Sequence, residues 1–158
     1  MIALSARQFY KAIKGSYGPI LEPRGFSTKD SKRANFTRWV SSDICHVFCF
    51  ARTRDLCRYH AWCFATSPLI QQNFETRFPD SLNAVMVPYV LDPTDVVSDY
   101  QCPLFCKNED AFLTCFNRDV RPILGRAVDF LDTIRSLDDL EKFAVGGGRA
   151  ILQDALAS

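Results

Sequence analysis

The sequence predicts a single α+β domain over residues 1–158: an antiparallel β-meander sheet with an N-terminal helix and C-terminal helices packed on one face. Three short runs rich in aromatic, β-branched and cysteine residues follow one another between Arg33 and Thr66. An amphipathic helical pattern precedes these runs, and a longer one begins at Asn108. Strands that follow one another closely, with helices before and after them, are typical of the α+β class.

The N-terminal helix is expected to begin after Ser5, because Ser5 and Gln8 form a capping-box pattern. Apolar residues then recur at helical spacing, at Phe9, Ile13, Tyr17, Ile20 and Leu21. Three residues in this stretch disfavour helix: Gly15, Gly18 and Pro19. We therefore expect a break or kink near Tyr17 and an end at Pro23 and Gly25.

The meander is predicted from three runs of strand-like composition: Ala34 to Val40, Ile44 to Ala51 and Tyr59 to Thr66. The middle run is apolar at both odd and even positions, so both of its faces should be covered. It is therefore the expected central strand. A fourth strand is predicted over Ala84 to Leu91, where Pro88 restricts it to an edge or a bulge because proline cannot donate a ladder hydrogen bond.

Helices account for most of the remaining chain. Leu69 to Phe78 fits a short helix, and Cys102 to Cys106 fits a short extended piece. Asn108 is an expected N-cap of the longest helical pattern, which Pro122 should kink or divide in two. Ser136 is expected to cap a further helix that reaches Ala144.

Length and composition indicate a folded, soluble and cytoplasmic protein. A chain of 158 residues with 47% hydrophobic and 13% aromatic residues buries a sizeable core without disulfides. The longest apolar run, Ala84 to Leu91, is far shorter than the ~20 residues of a membrane helix, and Met1 to Leu4 is unlike a secretion signal. The seven cysteines are odd in number and form no Cys-x-x-Cys pair, so we expect them to be reduced.

Two short motifs carry a resemblance to a known family. Leu21-Glu22-Pro23-Arg24-Gly25-Phe26 follows the first helix, and Phe36-Thr37-Arg38 lies on the first strand. With Ser136-Leu137-Asp138-Asp139-Leu140 near the end, the chain resembles an uncharacterised bacterial domain family with a helix, Leu-x-Pro-x-Gly-Phe, a Phe-x-Arg strand, a β-meander and C-terminal helices. The resemblance spans most of the chain but not Leu69 to Phe105. It implies the fold class and a cytoplasmic setting, and no activity.

Six potential zinc ligands lie within nineteen residues: Cys45, His46, Cys49, Cys57, His60 and Cys63. In strands, Cys45 and His46 point to opposite faces, so we expect buried thiols and hydrogen-bonded histidines, with no metal and no cofactor. A cysteine-dependent enzyme, with His46 or His60 as the base for Cys49 or Cys63, is kept as a second alternative. We expect no catalytic residue.

Charge is divided between the two halves of the chain. Residues 1–66 carry eleven Lys or Arg against four acidic residues, a net charge of +7, and residues 67–158 carry eight against fourteen, a net charge of −6. The basic half suggests a nucleic-acid-binding face, in which Trp39, Tyr59 and Trp62 stack on bases. Its basic residues would be Lys29, Lys32, Arg33, Arg52, Arg54 and Arg58. Interleaved charges on ordinary strand ends and loops are the simpler interpretation.

The acidic half suggests a surface for a basic protein partner. Its candidate contact residues are Asp92, Asp95, Asp99, Asp138, Asp139 and Glu141. Immunity proteins that neutralise bacterial nuclease toxins use such charge complementarity, which gives fast and specific association. The sequence therefore favours a non-catalytic cytoplasmic protein-binding module, of the immunity type if the partner is a toxin, with nucleic-acid binding as the alternative.

Overall fold

The computed structural model describes residues 3–29, 34–69, 87–90, 104–143, 153–154 and 156–157. Its main helices are α1 (Ala6–Leu21), α2 (Glu109–Cys115), α3 (Arg121–Asp132) and α4 (Leu137–Phe143), with a 3₁₀ turn at Glu22–Arg24 and a π turn at Phe116–Val120. Its strands are β1 (Phe36–Trp39), β2 (Cys45–Arg52), β3 (Arg58–Thr66), β4 (Val87–Val90) and β5 (Leu104–Phe105). The three predicted meander strands are confirmed to within a few residues at their ends.

The sheet is antiparallel throughout the described residues. Its order is β1-β2-β3-β4, and β5 pairs with the first residues of β3. The predicted central place of β2 is confirmed, since β1 and β3 flank it. The fourth strand lies at the edge, as Pro88 predicted, and Pro88 is opposite Phe64.

The helices pack on one face of this sheet through aromatic residues. The Tyr17 ring of α1 lies 4.7 Å from the Phe50 ring of β2 and 4.9 Å from the Phe116 ring, measured between centroids. Tyr59 of β3 lies 5.4 Å from Phe9 and 5.5 Å from Phe112. The two phenol oxygens of Tyr17 and Tyr59 are 2.9 Å apart and satisfy each other in the core. The predicted α+β architecture is therefore confirmed.

The first helix begins as predicted but does not break. Both hydrogen bonds of the capping box between Ser5 and Gln8 are formed. Of the break or kink expected near Tyr17, the break is wrong, because α1 is continuous for 16 residues with Pro19 inside it. Its apolar side, Phe9, Ile13, Tyr17 and Leu21, is fully buried. Burial of that side outweighs the local cost of glycine and proline.

The longest helical pattern is divided at Pro122, as predicted. Asn108 caps α2 by accepting the N–H of Ala111 at 2.8 Å, and the π turn then separates α2 from α3. Pro122 lies in the first turn of α3. Because proline has no N–H to donate and its ring would meet the carbonyl four residues earlier, the extra residue of the π turn relieves this conflict.

Several predictions fall outside the described residues, namely most of the helix over Leu69 to Phe78, the candidate contact residues Asp92, Asp95 and Asp99, and the end of the last helix at Ala144. Within the described part of the chain, no helix is long and apolar enough to cross a membrane.

Candidate functional site

The predicted acidic residues near the C-terminus lie on α4. Asp139 is committed to the fold, since its Oδ2 accepts the backbone N–H groups of Arg135 at 3.0 Å and of Ser136 at 3.2 Å. In return, the Ser136 hydroxyl accepts the Asp139 N–H at 3.1 Å. The bond from the Arg135 N–H is the largest influence that lowers the pKa of Asp139. Asp139 therefore caps the helix, and Ser136 is confirmed as its N-cap.

The side chains of Asp138 and Glu141 are different, because neither carboxylate forms a hydrogen bond or an ion pair with any described residue. Asp138 is exposed and Glu141 is half-buried. Buried Leu140 anchors the helix on the opposite side, and Phe143, 39% exposed, lies at the boundary with its ring 5.6 Å from Phe130. Asp138 and Glu141, three positions apart, project from one side of α4. We call these two carboxylates the α4 acidic pair.

The remaining predicted acidic contacts, Asp92, Asp95 and Asp99, lie outside the described residues, as do Lys32 and Arg33 of the predicted basic set. Of the other basic residues, Arg52 and Arg58 are engaged within the fold. Arg52 donates to the Leu4 carbonyl at 2.6 Å and lies 5.2 Å from the Phe9 ring centroid, and Arg58 pairs with Asp55 at 3.0 Å. Lys29 and Arg54 are exposed.

The aromatic residues of the predicted basic face do not form one platform. Tyr59 is fully buried on the helix side of the sheet. Trp62, three positions further along β3, points to the other side, as does Trp39, which is 57% exposed. Tyr59 therefore has no open ring face on which a base could stack.

A second charged constellation links the first half of the chain to α3. Arg38 donates to Asp132 Oδ1 at 2.7 Å, to His46 Nδ1 at 2.8 Å and to the Arg24 carbonyl at 2.9 Å. Arg24 donates to Asp132 Oδ2 at 2.7 Å and to Asp129 at 2.8 Å. We call Arg24, Arg38, His46 and Asp132 the Arg38 cluster.

The backbone near Gly25 positions this cluster. Gly25 has a φ of +91°, a left-handed conformation that residues with a side chain rarely adopt. A Cβ at this position would lie 3.3 Å from Cδ of Arg38. Glycine thus lets the chain turn after the 3₁₀ helix while the Arg38 side chain passes close by and stacks 4.4 Å from the Phe26 ring centroid.

His46 is held in one neutral tautomer within the cluster. Its Nε2–H donates to the Ile134 carbonyl at 2.7 Å, while Nδ1 accepts from Arg38. Burial, with lesser help from the nearby Arg38 charge, lowers the pKa of His46 to about 4. Because the ring is fully buried and both nitrogens are occupied, His46 is not placed to exchange a proton with a substrate.

Asp132 stays ionised in this cluster. Burial is the largest single influence and raises the pKa of its carboxyl group, but the hydrogen bonds from Arg24 and Arg38 together outweigh it and the net pKa is lowered. The Arg38 cluster joins β1, β2 and α3. Its contacts are those of a cluster that stabilises the fold.

The Arg38 cluster was missed by the sequence reasoning, although one signal was present. Arg38 has the same strand parity as Phe36, which is fully buried, and therefore faces the helices. Its partner Asp132 is 94 residues away, and no local pattern indicates that pairing.

The thiols of the meander are not arranged for nucleophilic catalysis. Burial raises the pKa of Cys49 to about 12 and that of Cys63 well above its usual range, so neither forms a thiolate readily. The six cysteines in the described ranges are free: Cys45, Cys49, Cys57, Cys63, Cys106 and Cys115. In the same ranges, no three His, Cys, Asp or Glu side chains are grouped as metal ligands would be.

An open groove of about 290 Å³ lies between α1 and α2, lined by residues that include Lys11, Ser16, Glu109 and Phe112. These four do not make up a nucleophile with an adjacent base.

The chain matches no protein-family model, no curated protein and no solved structure. The resemblance to the uncharacterised bacterial domain family therefore stays a prediction.

Proposed function

We propose that the chain is a non-catalytic protein-binding module that meets a basic partner with the acidic side of α4. The observation that supports this proposal is the contrast within the charged residues. Asp138 and Glu141 have no partner among the described residues, whereas Asp132, Asp139, Arg52 and Arg58 are all engaged in the fold. An unpaired carboxylate loses no intrachain contact when it pairs with an incoming charge.

Phe143 adds an apolar element beside the α4 acidic pair. It is 39% exposed, and aromatic residues at the edge of a charged surface are common anchors in protein interfaces. Lys142 offsets part of the negative charge of α4, so the attraction depends on the α4 acidic pair. A basic bacterial toxin, neutralised as immunity proteins do it, is the partner class that this chemistry suits best.

Nucleic-acid binding is the weaker candidate, because among the described residues of the predicted basic set Arg52 contacts the Leu4 carbonyl and Arg58 pairs with Asp55 at the surface, which leaves Lys29 and Arg54 without such contacts. These two side chains supply at most two phosphate contacts from the described residues, and Tyr59 contributes no stacking.

A symmetrical pair of charge reversals tests the proposal. The double variant Asp138→Lys/Glu141→Lys should lose capture of its partner from an extract of the source organism, while leaving the Asp139 cap intact. The control Lys29→Glu/Arg54→Glu changes charge by the same amount and should retain capture. Association of the wild type should also slow steeply as salt rises, because exposed charges are screened over about 8 Å at physiological ionic strength.

Three results would overturn the proposal. In the first, the control variant alone loses capture. In the second, a fluorescent single-stranded RNA oligonucleotide binds the wild type in a salt-dependent manner and loses affinity in the control variant, which supports the nucleic-acid alternative. In the third, both double variants capture the partner as well as the wild type does.

A further inference from the structure

Two cysteines face one another where the β2–β3 hairpin meets β5. Arg58 pairs with Phe105 and Tyr59 with Leu104, and one step further the Cys106 N–H donates to the Cys57 carbonyl at 2.8 Å. Cys57 and Cys106 are therefore opposite one another, one residue past the paired ends of β3 and β5, and a single backbone hydrogen bond joins them because the Cys57 N–H donates to Asp55 Oδ1 at 2.9 Å. Opposite residues of an antiparallel ladder have Cα atoms about 4.5–5.5 Å apart. That separation lies within the range that a disulfide spans.

Both side chains project to the same side of the sheet. Tyr59 and Leu104 are buried toward the helices, and Cys57 and Cys106 each lie two residues away, just beyond the end of β3 and of β5, where the alternation of side chains places them on that same side. Cys106 is fully buried, and its Sγ donates to the Leu56 carbonyl at 3.6 Å. Cys57 is half-buried at the end of the hairpin turn, where a small oxidant can reach it.

We propose that Cys57 and Cys106 form a reversible cross-strand disulfide when the protein meets hydrogen peroxide. The Cys57 thiolate attacks a peroxide oxygen and breaks the O–O bond, which gives a sulfenic acid and, with a proton, water. The Cys106 sulfur then attacks the Cys57 sulfur, loses its proton and releases a second water. Two thiols are oxidised and one peroxide is reduced to two waters.

The order of these steps follows from the surroundings of the two thiols. Burial raises the pKa of the Cys106 thiol to about 11, although the Arg52 charge partly opposes this rise. Cys106 therefore reacts second, when the oxidised Cys57 sulfur already lies within its reach. The other described thiols are less well placed. Cys49 is opposite Trp62 on β3, and Cys63 is opposite Phe48 on β2. Because side chains alternate along a strand, the sulfurs of Cys49 and Cys63 lie on opposite sides of the sheet. Cys115 is the main competitor, but its Sγ is engaged by the Phe105 N–H at 3.4 Å and by Asp119 at 3.5 Å.

Peptide mapping of the oxidised full chain tests the proposal. After mild peroxide treatment, free thiols titrated under denaturing conditions should fall from seven to about five per chain without dimer formation. Tryptic digestion should then yield a peptide containing Cys57 linked to one containing Cys106. Cys102 lies on the same tryptic peptide as Cys106, so the mapping is repeated in Cys102→Ser, where the link should persist.

Matched serine variants assign the pair. Cys57→Ser should keep its six remaining thiols under the same treatment, whereas the control Cys49→Ser should lose two of its six.

Thermal unfolding gives a second test that needs no variant at Cys106. Oxidation should raise the Tm of the wild type by about 5 °C or more, and dithiothreitol should reverse this rise. The Tm of Cys57→Ser should stay unchanged. A disulfide that joins Cys106 to Cys115 or to Cys102, a link only between chains, or no loss of thiols would overturn the proposal.

Discussion

Asp132 and Asp138 lie six residues apart, and the fold uses them in opposite ways. Both oxygens of Asp132 are occupied, one by Arg24 and one by Arg38, in a setting where its side chain is 29% exposed. Asp138 is exposed and has no partner among the described residues. The comparison teaches that the net charge of a stretch says little about its function. What matters is which charges the fold has already paired, since only the others are available to a partner.

The largest expected effect is on the free energy of unfolding, and it tests whether the Arg38 cluster stabilises the fold. Asp132→Ala should lower the free energy of unfolding by about 3 kcal/mol, because it leaves the Arg38 guanidinium, only 10% exposed, without its carboxylate. The matched control is Asp129→Ala, which removes a carboxylate that is 68% exposed and also paired with Arg24, and should cost under about 1 kcal/mol. Urea denaturation of both variants measures the difference, and equal losses would contradict the distinction between the two sites.

The second expected effect is a loss of stability in mild acid. In the folded protein His46 has a pKa of about 4 and is neutral above it, whereas in the unfolded chain its pKa is near 6.5. Because the unfolded state binds more protons between these values, stability should fall as pH drops from 6.5 to 4, by up to about 3 kcal/mol. Protonation would also place an N–H of His46 against the Arg38 guanidinium, with Arg135 nearby and the Asp132 carboxylate in opposition.

Urea midpoints at a series of pH values measure this effect in the wild type and in His46→Gln. The variant should show a flatter profile between pH 6.5 and 4, because its amide does not titrate. Asp132 contributes in a separate window: its lowered pKa gives stability that is present above its unfolded pKa of 3.8 and is lost only in stronger acid. A His46→Gln profile as steep as that of the wild type would show that the acid sensitivity arises elsewhere.

The elements that sequence predicted well are those set by short-range rules. The capping box at Ser5, the division at Pro122 and the edge position of Pro88 each follow from the chemistry of one or two neighbouring residues. The continuity of α1 through Pro19 does not follow from neighbouring residues, because it depends on burial of Phe9, Ile13 and Tyr17 against distant strands.

The same division applies to the charged residues. The pairing of Arg38 with Asp132 spans 94 positions and has no local signature, so the sequence marked Arg38 only as part of the Phe36-Thr37-Arg38 motif and predicted no role for Asp132. The cap formed by Asp139 was within reach, since Ser136 precedes it by three residues in the spacing of a capping box. Sequence composition identified α4 as acidic, and only the structure separated the carboxylate that caps the helix from the two that do not.

The smallest expected effects sharpen that separation within α4 itself. Asp139→Ala should lower Tm by about 2–4 °C, because the backbone N–H groups of Arg135 and Ser136 lose their acceptor. Asp138→Asn and Glu141→Gln, which keep shape and remove charge, should each change Tm by less than about 1 °C, since neither carboxylate has a described partner. Thermal unfolding followed by circular dichroism measures all three variants. If the two amide variants unfold as early as Asp139→Ala, the α4 acidic pair serves the fold, and the distinction from Asp132 on which the proposed binding surface depends is lost.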